Sequence, residues 1–346
     1  MNLSRSSVIA STLVGVGALA LTACGSDTSS SGAKPQPIEW SAACDKTCQE
    51  ALTLKADPAD VDCTVAISQN ALDNPYGVAQ KAALEDAAKR NFPNMEVLTA
   101  DGQHDAVTQS SQVRDFVTRD VDALVITPLE TDSLAPAVKA AMDAGVKVIV
   151  HDRGVNAEAT TKIAADNVEA GEEAATAMVE ALGPEGGKVV EIQGSAGASA
   201  AIDRNQGLEN VLADHPEVEV VATQVGDWAR GPALTTMRDV LQRFDSGEID
   251  AVFAHNDEMA LGVAQAVADA GRSDEMSIWS FDGAESAFEA IAAGEIDGTV
   301  IYPLNAPEAI AAAAKACMGE ELPSEVGLAS TLVTADNIDE FLGKGF

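Results

Sequence analysis

The sequence predicts an α/β protein built from two doubly wound parallel-sheet lobes, each Rossmann-like. Three observations carry that prediction. Short apolar runs with β-branched or aromatic residues alternate with longer helical patterns from about Val61 onward. Runs such as Ala123–Thr127 are apolar throughout rather than at every second position, which marks strands covered by helices on both faces. These units also exceed what one comfortable sheet would hold.

In order, strand Cys63–Ser68 leads to helix Tyr76–Arg90, Glu96–Ala100 to Val107–Arg119, and Ala123–Thr127 to Leu134–Ala144. Strand Lys147–His151 is followed by helix Asn167–Leu182, Lys188–Gln193 by Ala200–Ala213, and Glu219–Gln224 by Leu234–Phe244. Ala251–Ala254 precedes Glu258–Ala270, and Ser277–Phe281 and Thr299–Tyr302 precede Ala306–Met318. The helical stretches are rich in Ala, Glu, Lys and Leu, and Gly145, Gly183, Gly271 and Gly319 stand at their ends.

A chain of 346 residues is long enough for two domains with substantial cores. Lys and Arg number 21 against 55 Asp and Glu, a formal net charge of -34, which repels phosphate backbones and excludes nucleic acid as a partner. With 46% hydrophobic residues in periodic segments, disorder is expected only near the N-terminus. No apolar run reaches the length of a membrane span, so a multi-span membrane protein is excluded.

The N-terminus reads as an address. Arg5 precedes an apolar stretch, Val8–Leu21, too short to span a bilayer comfortably, and Leu21-Thr22-Ala23-Cys24-Gly25 resembles a bacterial lipobox. Residues 1–23 are then a lipoprotein signal peptide, and Cys24 is lipidated and anchors the chain to the outer face of the cytoplasmic membrane. Ordinary secretion after Ala18-Leu19-Ala20 is the alternative. Ser26–Pro37, rich in Ser, Gly and Pro, reads as a flexible tether within a Cys-containing segment, 24–60. An exported chain can keep disulfides: Cys44 and Cys48 can bridge locally, and Cys63 and Cys317 can join the two ends of one domain, with a buried free thiol at Cys317 as the alternative. No His lies at ligand spacing from Cys44 and Cys48, and no calcium loop is evident, so neither metal nor cofactor is expected.

Ligands of doubly wound folds bind at the carboxyl ends of strands. Those ends carry Asn74 and Tyr76, then Asp152-Arg153, Arg204, Trp228, Asn256, Phe281-Asp282 and Tyr302. This mix of carboxylates, Arg, Asn and aromatic rings suits a sugar or polyol. A hydroxyl both donates and accepts, so Asp, Arg and Asn can all hold it, and the C–H face of a sugar ring packs on an aromatic face. Singly, each residue has a plain structural reading: Asp152-Arg153 as an ion pair, Trp228 as packing, Asp282-Gly283 as a turn, and Asp166-Asn167 as a helix cap.

At these residues the chain resembles the type I periplasmic sugar-binding proteins of ABC transporters, nearest the ribose- and galactofuranose-binding branch and of the actinobacterial lipoprotein type. The motifs are Asp152-Arg153-Gly154, Ala165-Asp166-Asn167, Glu191-Ile192-Gln193-Gly194 through Ile202-Asp203-Arg204, Phe253 to Ala260, and Ser280-Phe281-Asp282-Gly283, in the family's order and spacing. The resemblance implies that Asp152, Arg153, Arg204, Asn256 and Asp282 hydrogen-bond the sugar. It implies stacking by Tyr76, Trp228 and Phe281, and ligand positions at Asn74 and Tyr302. Gly77 stands where ribose binders have a second aromatic, Thr127 where they have Asn, and Tyr302 where they have Gln, which leaves the sugar's identity open.

The implied architecture is a type I periplasmic binding protein: lobes 61–165 plus 303–329 and 166–302 plus 330–346, joined by a hinge crossed near Ala165, Tyr302 and Ser330. Closure around a monosaccharide or polyol and delivery to a separate permease chain, by a monomer, is the expected function. A sugar sensor feeding a signalling receptor is the alternative, with a carbohydrate-active enzyme behind it. Enzyme signals are weak. Arg153 beside Asp152 disfavours a carboxylic acid there, the Gly183–Lys188 run lacks P-loop spacing, and Gly194-Ser195-Ala196-Gly197 is not a nucleophile elbow.

Overall fold

The computed structural model describes residues 34–346. Arg5, the apolar stretch Val8–Leu21, Cys24 and most of the tether lie outside the described residues. The remainder contains two six-stranded sheets with helices on both faces.

The first sheet is parallel. It holds β1 (Thr64–Gln69), β2 (Glu96–Asp101), β3 (Ala123–Ile126), β4 (Lys147–His151), β5 (Thr161–Ala165) and β11 (Glu325–Leu328), in the order β11-β5-β4-β3-β1-β2. The second holds β6 (Gly187–Gln193), β7 (Val218–Val225), β8 (Ala251–Ala254), β9 (Ser277–Asp282), β10 (Gly298–Ile301) and β12 (Thr331–Thr334), in the order β12-β10-β9-β8-β6-β7, with β12 alone antiparallel. Helices α1 (Lys46–Leu52), α2 (Pro75–Asn91), α3 (Ala106–Thr118), α4 (Ala135–Asp143) and α10 (Ala306–Cys317) belong with the first sheet. Helices α5 (Asn167–Leu182), α6 (Ser199–Leu212), α7 (Arg230–Arg243), α8 (Asp257–Asp269) and α9 (Glu285–Ala293) belong with the second. The chain passes between the sheets from β5 to α5, from β10 to α10 and from β11 to β12.

Strand order reverses between β1 and β3 in one sheet and between β6 and β8 in the other. Each reversal opens a crevice at the carboxyl ends, where loops leave in opposite directions. Beneath the first crevice, Val65, Ile67, Ile149 and Ile163 pack against the Ala-rich face of α10. Beneath the second, Val190, Ile192 and Val252 pack with Met237, Met259 and Phe288.

Several elements differ from the sequence expectation. Strands β5, β11 and β12 and helices α1 and α9 were not expected. The strands are four or five residues long, and β11 and β12 are separated only by Ala329-Ser330, so no sustained period marks them. Helix α7 begins at Arg230 rather than Leu234 because Pro232, in its first turn, blocks no hydrogen bond there. The tether is also corrected at its end. Gln36 N donates to Arg90 O, and Asn91 Nδ2 donates to the carbonyls of Gln36 and Pro37, so these residues are pinned to the end of α2. Ser41 N donates to Glu308 Oε1, and Ala329 N donates to Ala43 O.

Cys44 is bridged to Cys48 and Cys63 to Cys317, which resolves the open choice at Cys317. The second bridge joins residues 254 apart, so it removes far more freedom from the unfolded chain than the local one. We expect Cys63→Ala with Cys317→Ala to lower unfolding free energy by about 2–5 kcal/mol, read by denaturant titration. A loss no larger than that of a Cys44→Ala, Cys48→Ala variant would contradict this.

Candidate functional site

The first lobe's share of the site comes from two loops. Asn74 caps α2 by accepting from Gly77 N at 2.8 Å, which places Tyr76 in the first turn. The Tyr76 hydroxyl donates to Pro303 O, in the connection from β10 to α10, at 3.0 Å. After β4, Asp152 has φ 65°, a left-handed conformation costly for a residue with a Cβ. Its amide donates to Ile163 O and the amide of Arg153 donates to His151 O, so the turn is held on both sides.

The second lobe supplies Ala200 and Arg204 from α6, Trp228 after β7, Asn256 at the cap of α8 and Asp282 at the end of β9. Asp227, Trp228 and Asp282 also have positive φ, at 55°, 61° and 117°. Such conformations persist only where surroundings over-determine them, and they gather at functional sites. Gly194 shows one such constraint: a Cβ there would sit 2.0 Å from the Trp228 ring.

Arg204 is the central group and is 3% exposed. Its Nε donates to Asn167 Oδ1 at 2.9 Å, and its Nη1 donates to His255 O and reaches Asp282 Oδ1 at 3.5 Å. Its guanidinium lies 4.6 Å from the centroid of Phe281, 5.1 Å from that of Tyr302 and 6.0 Å from that of Trp228. Arg153 lies 4.9 Å over Trp228. Burial pushes the Asp282 carboxyl well above the ordinary range. Arg204 opposes the rise, while the charges of Asp257 and Asp152 add to it. Burial likewise lowers Arg153, and Asp152 opposes that.

Asn74, Tyr76, Asp152, Arg153, Arg204, Trp228, Asn256 and Asp282 line one cavity of about 30 Å³ between the sheets' carboxyl ends. Two expected residues do not. Phe281 is fully buried beneath Arg204 and packs edge-on against Phe253, because it points to the opposite face of β9 from Asp282. Tyr302 is buried in the crossing from β10. Its hydroxyl lies 3.0 Å from the carbonyls of Asp152 and of Ala165 and accepts from Asn167 Nδ2 at 3.1 Å, so it ties the crossings together. Asp166 caps α5 and accepts from Val168 N and Glu169 N. A larger groove of about 810 Å³ runs between the 154–159 loop and Ser199–Asp203, but it is open and lacks the converging aromatic rings and buried charges.

Sequence reading missed the groups that support the site. Asp257, at 1% exposure, accepts from Ser280 Oγ, Thr299 Oγ1, Gly283 N and Ala284 N, and so fixes the turn that aims Asp282. As the first residue of α8 it reads as an ordinary acidic helix start. Below the first lobe's crevice, Thr127 Oγ1 donates to Gln80 Oε1 and lies 3.2 Å from His151 Nδ1, while His151 Nε2 lies 3.1 Å from Leu304 O. Thr127 therefore serves a network behind the cavity. Among the described residues, Arg153 Nη1 and Trp228 Nε1 are buried donors without partners.

A family model described as "Periplasmic binding protein domain" matches residues 65–321. The ribose import binding protein of Bacillus subtilis is 38% identical over 238 residues, covering 68% of this chain and 75% of that protein. An ABC transporter solute-binding protein of Mycobacterium smegmatis, solved with bound glycerol, is 34% identical with a TM-score of 0.77, covering 82% of this chain and 98% of that one. The fructose-binding periplasmic domain of a hybrid two-component system is 27% identical with a TM-score of 0.77, covering 81% and 93%.

Proposed function

This chain belongs to the periplasmic binding protein domain family, and on that premise we propose that it binds a monosaccharide or polyol between its lobes and hands it to an ABC transporter permease. Family membership makes it an extracytoplasmic binding protein and not an enzyme. The observation that carries the ligand assignment is the convergence of carboxylates, guanidinium groups and Trp228 from both lobes on one cavity, with Arg153 Nη1 and Trp228 Nε1 left as unpaired buried donors. Buried donors without partners are costly, and hydroxyl oxygens would satisfy them. The ribose and glycerol in the relatives' names agree with that chemistry.

The cavity is walled by residues of both lobes, so a ligand enters and leaves as the lobes part. We take 61–165 with 303–329 and 166–302 with 330–346 as the moving bodies. Tyr302 sits where they meet, and hinge closure around a ligand is a known device of periplasmic binding proteins. A ligand touching Asp152 and Arg153 on one body and Arg204, Trp228, Asn256 and Asp282 on the other favours the closed state. Lipidation at Cys24 would keep the monomer near its permease. The likeness to a two-component system's fructose-binding domain favours sensing as the second reading. Neighbouring permease and ATPase genes would support transport, and a neighbouring receptor kinase would support sensing.

A thermal-shift screen of pentoses, hexoses, furanoses and polyols tests the assignment, since a tight ligand raises the melting temperature by mass action. With the ligand found, Asp152→Ala and Asp282→Ala are each expected to weaken it at least ~10-fold, the worth of one charged hydrogen bond. Unchanged calorimetric affinity in both folded variants would refute the site.

A further inference from the structure

One wall of the cavity is braced from outside by a segment that belongs to the second sheet. Phe346 packs against the core beneath the second crevice and also meets Tyr76, on the first lobe, edge to face. The ring centroids are 5.5 Å apart and the planes stand at 84°. Tyr76 lines the cavity and Phe346 does not, so Phe346 reaches the ring from outside the ligand's space. Resting on the sugar-binding reading above, we propose that Phe346 is a positioning residue. It sets the tilt of the Tyr76 ring, and with it the face that this ring offers a bound sugar or polyol.

Tyr76 needs such a brace because its own lobe fixes only one end of it. The hydroxyl donates to Pro303 O at 3.0 Å. That oxygen lies on the axis about which a tyrosine ring turns, from Cβ through Cγ to Cζ. The bond therefore holds the tip of the ring and leaves the tilt free, and the torsion about this axis is intrinsically broad. Gln80 Nε2 reaches the same hydroxyl, at 3.5 Å, so it adds nothing to the tilt. Gly77, next in the chain, has no side chain to lend, and a Cβ there would lie 2.7 Å from Ala71 O. Among the described residues, Phe346 is the aromatic ring packed on Tyr76. An edge-to-face pair depends on the angle between its planes, because the positive edge of one ring seeks the negative face of the other. That angle is the quantity the hydroxyl leaves open.

Phe346 can set an angle only if it is held itself. Gly343 N and Gly345 N donate to Glu285 Oε1 and Oε2 at 2.8 and 2.9 Å, so one carboxylate clips the segment twice. The approach is close: a Cβ on Gly345 would lie 2.3 Å from Glu285 N. Lys344 N donates to Phe341 O, and the Phe341 ring lies 6.0 Å from that of Phe288 in the core. Glu285 opens α9, three residues after Asp282. The clip thus hangs from the turn that carries Asp282, and the segment runs from one ligand group to another on the opposite lobe.

The chain has 2 tyrosines, Tyr76 and Tyr302, so fluorotyrosine labelling gives one fluorine NMR resonance for each, assigned with Tyr76→Phe. The labelled chain is saturated with its tightest binder among ribose, fructose, myo-inositol and xylitol. Phe346→Ala is expected to shift the Tyr76 resonance and to leave that of Tyr302, buried at the crossing, in place. Calorimetric affinity for the same ligand should fall about 3- to 10-fold, the worth of one aromatic pair. Gly345→Ala keeps the ring but pushes its segment off Glu285, and should act in the same direction. Phe346→Tyr, which keeps an aromatic edge, should retain wild-type affinity. An unmoved Tyr76 resonance and wild-type affinity in Phe346→Ala would overturn the proposal while leaving the sugar site standing. Equal shifts of both tyrosines, the mark of a general loosening, would overturn it too. A wild-type chain that binds none of these ligands would instead remove the reading on which the proposal rests.

Discussion

Arg204→Met is expected to abolish measurable carbohydrate binding, a loss of about 100-fold or more in calorimetric affinity. Methionine fills much of the space but donates nothing. It strips away the donors that hold Asn167, the His255 carbonyl and Asp282, together with the cation resting on Phe281 and Tyr302. Asp282 then stays buried near Asp152 and Asp257 without the cation that contacts it, and breaking a buried pair in this way costs about 3–5 kcal/mol of stability. Affinity and melting temperature should therefore fall together. Arg204→Lys keeps the charge but cannot serve three acceptors from one planar fork, and should lie between the two. A folded Arg204→Met variant with wild-type affinity would mean that the guanidinium is a structural strut and that the ligand binds elsewhere.

The second large effect concerns pH and Asp257. Burial raises its carboxyl from 3.8 to about 6, against the four hydrogen bonds that favour the charged form. The folded-state value lies above the unfolded one, so the native state binds the proton more tightly. Stability from this group is therefore fully present below about pH 4, is lost as pH rises toward about 6, and is level beyond. The shift corresponds to roughly 3 kcal/mol. Asp257→Asn should remove that component of the pH profile, because the amide oxygen can still accept from Gly283 N and Ala284 N while Ser280 and Thr299 rotate to accept from its nitrogen. Asp257→Ala should instead orphan the two backbone donors, loosen the turn behind Asp282 and weaken the ligand as well as the fold. Parallel pH–stability curves for wild type and Asp257→Asn would contradict this assignment.

The reach of the sequence is best judged residue by residue. Asp152, Arg153, Asn256 and Asp282 were legible because each ends or follows a strand whose apolar run is easy to see, and strand ends are where such folds gather ligands. Trp228 was legible for the same reason. Arg204, by contrast, lies within α6 and was legible from its place in the Ile202-Asp203-Arg204 motif. Phe281 does not line the cavity because the period of a strand separates it from Asp282: adjacent in sequence, they face opposite sides of the sheet. Tyr302 sits at a strand end, yet its hydroxyl is consumed by the backbone carbonyls of Asp152 and Ala165. Asp257 could not be found from local pattern. Its partners lie 23 to 42 residues away.

By itself, the sequence determined the alternation of strands and helices, the two-lobed class, the acidic character and the set of hydroxyl-seeking residues at strand ends. These follow from local periodicity and side-chain chemistry, which act over a few residues. Tertiary structure alone decided which of those residues share a cavity, which turn away, how the cysteines pair and which carboxylates meet across the cleft. Those outcomes depend on strand order and on the three crossings between sheets, which bring groups more than two hundred residues apart within bonding distance.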